Sequence, residues 1–241
     1  MAQIANKPSS VMVNLALYSN SPNKLLPYLL ITGPKCKRTT ANGLPQKDEI
    51  AQLEEILNAT DAFVTGVTPK ILTGTLTYNS ERVNYYYVRD TAGLHNAIAR
   101  LYKRSFPDYS YVCKIRKDAD WNEYRDFLYP SEDNFTWIEN NGIITQLITQ
   151  GDSLTKPRDI SFVLLFKTEA DRNALIDFAH KRDYRIDELN YVKKENNPYR
   201  LKISKFENVK ADLISQMTIE IKKETKKLNG DYQGWNSAVI K

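Results

Sequence analysis

Two apolar periodicities, one of two residues and one near 3.6, alternate along this chain in an order that occurs twice. The first occurrence begins at Tyr28-Leu-Leu-Ile31, which reads as a short strand. A loop with Gly33, Pro34 and Gly43 follows over residues 32–44. Pro45 suits the first turn of a helix, Asp48 and Glu49 suit its positive end, and Ile50, Leu53, Ile56 and Leu57 recur at helical spacing. Two β-prone runs, one with Ile71, Leu72, Leu76 and Tyr78 and the other from Val83 to Val88, flank Asn79-Ser80 and predict a hairpin. Leu94, Ile98, Leu101 and Tyr102 mark a second helix, which Pro107 ends. Tyr109, Tyr111, Cys113 and Ile115 then alternate with polar residues as a strand does. Strand, helix, strand, strand, helix, strand is the order of a ferredoxin-like sheet. The apolar run between Ser10 and Tyr18 predicts one more strand at an edge of that sheet.

The order returns in the last ninety or so residues, counted at about one domain's length. Ile160 to Phe166 reads as a strand, and Thr168 with Asp171 resembles a capping box for the helix carrying Leu175, Phe178 and Ala179. Tyr184–Val192 and Tyr199–Phe206 are strands about the turn at Asn196-Asn-Pro198, a helix runs from Asn208 to Leu228, and Tyr232–Ile240 closes the sheet. Between the two occurrences, residues 120–151 read as a helical connector. Trp121, Tyr124, Phe127 and Leu128 share a face, Tyr129-Pro130 stops that segment, and Ser131 caps the next. Asn140-Asn-Gly142 is expected to interrupt it, and Gly151 to cap it. The expected fold is therefore α+β: two tandem ferredoxin-like (βαββαβ) α/β sandwich domains with an added N-terminal edge strand and a helical connector. The expected domains are residues 1–150, including the connector 120–150, and residues 151–241.

Composition narrows the chemistry. The chain has 241 residues, 26% charged and 41% apolar, with mean hydropathy −0.52. No run approaches the roughly 18 apolar residues of a membrane span, and no secretory signal is read at Met1, so a cytoplasmic protein is expected. Its two Cys, Cys36 and Cys113, and two His, His95 and His180, match no zinc spacing and no disulfide framework. No phosphate loop, dinucleotide fingerprint or G-x-S-x-G elbow occurs. Neighbouring acids such as Glu54-Glu55 and Asp187-Glu188 cannot face each other on a helix or strand. The expectation is no catalytic, cofactor-binding or metal site and no cofactor. Cys36 stands among Lys35, Lys37 and Arg38, a setting that lowers a thiol pKa.

Two stretches resemble known families. The ending Asn229-Gly-Asp-Tyr-Gln-Gly-Trp235 behind a helix resembles the domain of regulator of ribonuclease E activity B. The stretch Asp120-Trp-Asn-Glu-Tyr124 running to Leu128-Tyr-Pro-Ser131 resembles a bacterial family of unknown function, whose members often carry the regulator-like domain behind it. These resemblances imply a non-enzymatic protein that binds a protein partner, a ribonuclease among the candidates. The regulator family is markedly acidic, whereas residues 151–241 here hold 18 Lys/Arg and 14 Asp/Glu.

Candidate partner-binding residues follow. Tyr232 and Trp235 either pack beneath the last helix or, exposed, form a hot spot. Lys222, Lys223, Lys226 and Lys227 fall at spacings that place them on one helix face, where they solubilise or meet an acidic partner or a phosphate backbone. Gly230 and Gly234 are expected to supply positive φ for a cap and a bend. Trp121 and Tyr124 are expected to pack between the domains, with Tyr129 and Pro130 as structural stops. Two alternatives compete with protein binding. The first is RNA binding through a sheet face bearing Tyr85-Tyr-Tyr87 and Lys/Arg. The second is an unrecognised hydrolase.

Overall fold

A computed structural model describes residues 2–4, 7–193 and 196–241. The turn expected at 196–198 lies within them. The chain divides into two compact units, Met1–Pro130 and Ser131–Lys241.

In the first unit the strands are β1 (Ala2–Ile4), β2 (Lys7–Val13), β3 (Tyr28–Pro34), β4 (Lys70–Tyr78), β5 (Glu81–Val88) and β6 (Tyr111–Lys117). The helices are α1 (Lys47–Thr65) and α2 (Leu94–Ser105). The sheet is antiparallel in the order β1-β2-β4-β5-β3-β6. Its last four strands have the interleaved order of a ferredoxin-like unit, in which each helix crosses over an intervening strand. Asn79 and Ser80 both take positive φ, 48° and 65°, as the tight hairpin turn between β4 and β5 requires.

Both faces of this sheet are covered. Leu30, Tyr86 and Val88 pack with Ile56 and Val64 of α1 and with Leu94, Ile98 and Tyr102 of α2. Leu29, Tyr85 and Tyr87 face the other way, against Leu26, Trp121, Tyr124 and Leu128. Alternation along one strand, Tyr85-Tyr-Tyr87, thus feeds two cores.

In the second unit α3 (Glu132–Thr149) precedes β7 (Arg158–Phe166), α4 (Glu169–Lys181), β8 (Arg185–Tyr191), β9 (Tyr199–Glu207), α5 (Ala211–Lys227) and β10 (Asp231–Ser237). The strand order β10-β7-β9-β8 is again ferredoxin-like and antiparallel. Ile160, Phe162, Leu164 and Phe166 of β7 are fully buried beneath Leu175 of α4 and Ile214 and Ile221 of α5. Thr168 accepts from the Asp171 amide at 3.1 Å, which is the N-cap half of the expected box, and donates its hydroxyl to the Asp171 carboxylate at 2.6 Å, so the shorter Asp meets the Thr168 hydroxyl in place of its backbone N–H.

Four readings change. The strand expected at 10–18 ends at Val13. Asn14 then caps a 3-10 helix, Leu15–Asn20, by accepting from the Ala16 amide at 3.2 Å. Residues 123–128 form one π-helical turn, and Trp121 before it sits at φ 59°. Helix α3 runs unbroken through Asn140-Asn-Gly142, because the Asn140 amide is buried and engaged by other side chains instead of competing for its own backbone. That helix packs on α5, so it belongs to the second unit, and the division falls before it at 130/131 instead of after it.

Candidate functional site

The candidate residues of the second unit lie where α3, α5 and β10 meet. Helix α5 ends in a turn made by Asn229 at φ 50°, while Gly230 serves a different need. A Cβ on Gly230 would stand 2.6 Å from the Phe166 ring and 2.9 Å from the Leu165 carbonyl oxygen. Gly230 is therefore the point where the chain passes against β7, and the left-handed position expected of it is taken by its neighbour. Gly234 does take positive φ, 132°, beside the bulge where register slips between Tyr232 and Gly234. The slip lets Trp235 stand opposite Phe162 and point into the core.

Trp235 is 5% exposed and its Nε1 donates to Asn140 Oδ1 at 2.8 Å. Asn140 Nδ2 in turn donates to Ser215 Oγ at 3.2 Å. The indole, α3 and α5 are joined by a buried polar chain, and Trp235 is a packing residue instead of a surface hot spot. Tyr232 is half-buried on the same side of the sheet, and burial pushes its hydroxyl pKa up.

The four lysines point outward as their spacing predicts, but each meets an acid. Lys222 Nζ lies 2.8 Å from Glu139 and 3.0 Å from Thr136 Oγ1, and 5.3 Å above the Tyr232 ring. Lys223 reaches Asp133 at 2.9 Å, Lys226 reaches Glu132 at 2.8 Å, and Lys227 reaches Glu224 at 2.5 Å. Three of these acids belong to α3. The set expected as a basic face is thus a ridge of alternating charge on two rigid helices. Its first-order field is close to neutral, which disfavours a phosphate backbone as its partner. A cleft of about 340 Å³ runs beside it, with Thr136, Lys222 and Tyr232 in its wall.

The remaining motif residues lie in the first unit. Trp121 and Tyr124 are buried in its own core, which corrects the expectation that they pack between domains. The Trp121 ring stacks 4.1 Å from Tyr87, and its Nε1 donates to the Leu26 carbonyl at 3.0 Å. The Tyr124 hydroxyl donates to the Asn14 carbonyl at 2.8 Å. Tyr129 stacks 4.0 Å from Tyr18, and its amide donates to the Tyr124 carbonyl at 2.8 Å before Pro130 turns the chain away. Tyr85, Tyr86 and Tyr87 are all buried, so none offers a ring face for base stacking.

His95 and His180 are exposed. Cys36 is half-buried, and desolvation together with Glu49 raises its pKa to about 11, the reverse of the lowering expected from its basic neighbours. Among the described residues no group of three or more His, Cys, Asp or Glu is placed to hold a metal ion. Among the described residues no helix is long and apolar enough to cross a membrane.

Two polar centres escaped the sequence reading. Glu49, buried in the first turn of α1, accepts from the Lys37 and Arg38 amides at 2.8 Å each and pins the preceding loop. Asp152 and Arg158 form a buried bidentate pair. Asp152 also accepts from the Leu154 amide at 2.8 Å and the Ile240 amide at 2.9 Å. The signal for the first was an acid in the first turn of a helix that follows a loop, read there only as a match to the helix's positive end. The second gave none, since Gly151-Asp-Ser-Leu-Thr-Lys-Pro157 reads as a linker.

Comparison with known proteins agrees with the division. Residues 1–129 match the model of a family of unknown function (DUF695), and residues 137–237 match that of Regulator of ribonuclease activity B. No curated protein matches the chain. One solved structure, described as a candidate glycine cleavage system transcriptional repressor, shares 9% identity at TM-score 0.28 and covers 89% of this chain and 98% of its own. Another, an unknown protein from Galdieria sulphuraria, shares 8% identity at TM-score 0.25, covering 88% and 99%. Scores this low bear on neither fold nor function.

Proposed function

This chain belongs to the family of unknown function (DUF695), with a Regulator of ribonuclease activity B domain behind that family's region, and from this we propose that it is a non-enzymatic, cytoplasmic regulatory protein acting by direct contact on a ribonuclease. The observation that carries the reading is the extent of the second match, which runs from within α3 to the end of β10 and so takes in a whole ferredoxin-like unit. A regulator of this kind needs a rigid surface and no reacting groups. The ridge of α3 and α5 supplies one: Lys223, Lys226 and Lys227 alternate with Asp133, Glu132 and Glu224 on helices locked from below by Trp235 and Asn140. Alternating charge favours a partner with the complementary pattern over one that is uniformly acidic or basic, and it acts on specificity and on-rate more than on affinity. Tyr232 and Lys222 support the ridge from its inner side.

The test is capture from extracts of the native cell on the immobilised full chain, followed by mass spectrometry and an RNA-cleavage assay of the captured ribonuclease. The expected result is a ribonuclease whose cleavage slows as the chain is added, while the chain alone cleaves nothing. Lys223→Glu with Lys226→Glu should slow association and reduce its salt dependence. RNA cleavage by the purified chain, or capture of no ribonuclease, overturns the proposal.

A further inference from the structure

Helix α2 of the first unit is the reverse case of α5. The lysines of α5 are neutralised by the acids they meet, whereas the cations of α2 are left unpaired. The apolar residues of α2, Leu94, Ala97, Ile98, Leu101 and Tyr102, are buried. Arg100, Lys103 and Arg104 are exposed, and spacings of three and four place them on one face within about 6 Å along the axis. Among the described residues none of these three side chains has an ion pair or a hydrogen bond. The helix itself holds no Asp or Glu. Helix α1 packs beside it, and the acids of α1 are all engaged by other groups: Asp48 by Arg38, Glu49 by two loop amides, Glu54 by Arg82, Glu55 by Gln52 and Asp61 by Lys70. Asp108, just beyond the helix, makes no ion pair with them.

Lys103 and Arg104 suit the negative end of the helix. Arg100 stands a turn earlier, and its like-charged neighbours at i+3 and i+4 repel it. Nothing described within the chain offsets that repulsion, so the row is fitted to a polyanion from outside. A membrane-surface helix needs large apolar side chains free to enter the lipid, and those of α2 are turned into the core. A protein interface needs an apolar centre, and the exposed residues that accompany the three cations on α2 are His95, Asn96 and Ser105. A phosphodiester backbone needs neither. It offers single negative charges at regular intervals, and the arginine fork meets a phosphate with two parallel bonds.

We propose that Arg100, Lys103 and Arg104 bind the phosphate backbone of RNA without regard to sequence, a contact made by the first unit and separate from the α3–α5 ridge. The choice of RNA over DNA, whose backbone has the same chemistry, rests on the ribonuclease reading. No aromatic ring of α2 is exposed, so the contact holds phosphates and reads no base.

Titration of the full chain into a labelled short oligouridylate, followed by fluorescence anisotropy, and NMR amide shifts of the chain test this. The slope of log K on log salt is about −0.7 per phosphate on a single strand, so three contacts give about −2 and a fall of about 20-fold between about 50 mM and about 200 mM salt. Oligoadenylate and the matching DNA strand should bind within about threefold of oligouridylate, because only phosphates are held. The amide shifts should centre on residues 94–106. The combined variant Arg100→Gln, Lys103→Gln, Arg104→Gln should weaken binding at least about tenfold at about 50 mM salt and flatten the salt slope. Its residues are exposed, and a thermal melt confirms the fold. The control Lys24→Gln, Lys167→Gln, Lys181→Gln removes the same net charge from exposed positions elsewhere and should keep affinity within about twofold. No binding at about 50 mM salt, no greater loss in the α2 variant than in the control, amide shifts confined to the second unit, or tighter binding of polyglutamate, of phosphatidylserine vesicles or of DNA than of RNA each overturn the proposal. The oligonucleotide meets the chain alone, so failure here is distinct from failure to capture a ribonuclease.

Discussion

Asp152 shows how much a single side chain can decide. Its carboxylate is removed from water and both oxygens are engaged, by the Arg158 guanidinium and by the amides of Leu154 and Ile240. Arg158 also donates to the Ala238 carbonyl at 3.0 Å, so the pair ties the chain after β10 to the start of β7. The bond from Arg158, followed by the two amides, holds the carboxyl well below the usual carboxylate range despite burial. A carboxyl whose folded pKa is depressed contributes stability above its unfolded value, about 3.9, and loses that contribution as pH falls through the folded value. Urea midpoints measured against pH should therefore fall below about pH 4 in the native chain, and the fall should be shallower in Asp152→Asn, which is already weaker at pH 7. Arg158→Met should be the more damaging change, about 3–5 kcal/mol, because it leaves a buried charge without its partner. An Arg158→Met midpoint within experimental error of the parent would refute this account. Trp235→Phe should cost about 1–3 kcal/mol by leaving the buried Asn140 oxygen unpaired. The two sites differ in how far the sequence announces them. Trp235 stands in a compact aromatic-glycine motif, and its packing role was among the readings that motif allowed. Beyond the local Leu154 amide, the partners of Asp152 come from 6 and 88 residues away, and local spacing carries no trace of them.

At the scale of elements, periodicity was informative wherever one face of a helix or strand meets the core. It located both hairpins, the N-cap at Thr168 and the outward face of α5. It did not show what that face meets. The acids Glu132, Asp133 and Glu139 lie on α3, more than eighty residues before their lysines, so the neutralised ridge exists only once α3 has docked. The same docking explains why α3 is unbroken: Asn140 looks like a helix breaker in isolation and becomes a buried strut in place. Because the pairs are largely exposed, each contributes at most about 1 kcal/mol. The combined variant Lys222→Gln, Lys223→Gln, Lys226→Gln should lose roughly 1–2 kcal/mol at low salt and much less at about 1 M salt, where the Debye length is near 3 Å. Guanidine-free thermal melts at the two salt concentrations would check it. An equal loss at both would mean that the lysines act through their methylene stems and not through charge.

For the whole molecule, the order of elements was sufficient to anticipate two ferredoxin-like units, because short right-handed connections leave few ways to lay strand, helix, strand, strand, helix, strand on one sheet. The place where one unit ends was harder to read, because a helix between two domains gives no sign in its own sequence of which side it will bury. Composition pointed to 151–157, a polar stretch with Gly, Ser and Pro. Packing chose Pro130/Ser131, because Ile144 and Leu147 of α3 are buried in the second core and Asn140 satisfies Trp235. The difference can be measured with fragments. Residues 131–241 should fold alone with one cooperative transition. Residues 151–241 lack α3, which uncovers apolar surface on α5, deprives the Trp235 N–H of its acceptor and leaves the lysines of the ridge without acids. Two buried aliphatic side chains bring about 1.5–3 kcal/mol each, so the shorter fragment should lose about 3–6 kcal/mol before the hydrogen bond is counted. Against a total of about 5–15 kcal/mol for a domain, that leaves it marginal or unfolded at 37 °C. Circular dichroism melts of the two fragments decide the matter: equal midpoints would show that α3 is an appendage, and the ridge proposed as a contact surface would lose the rigidity it depends on.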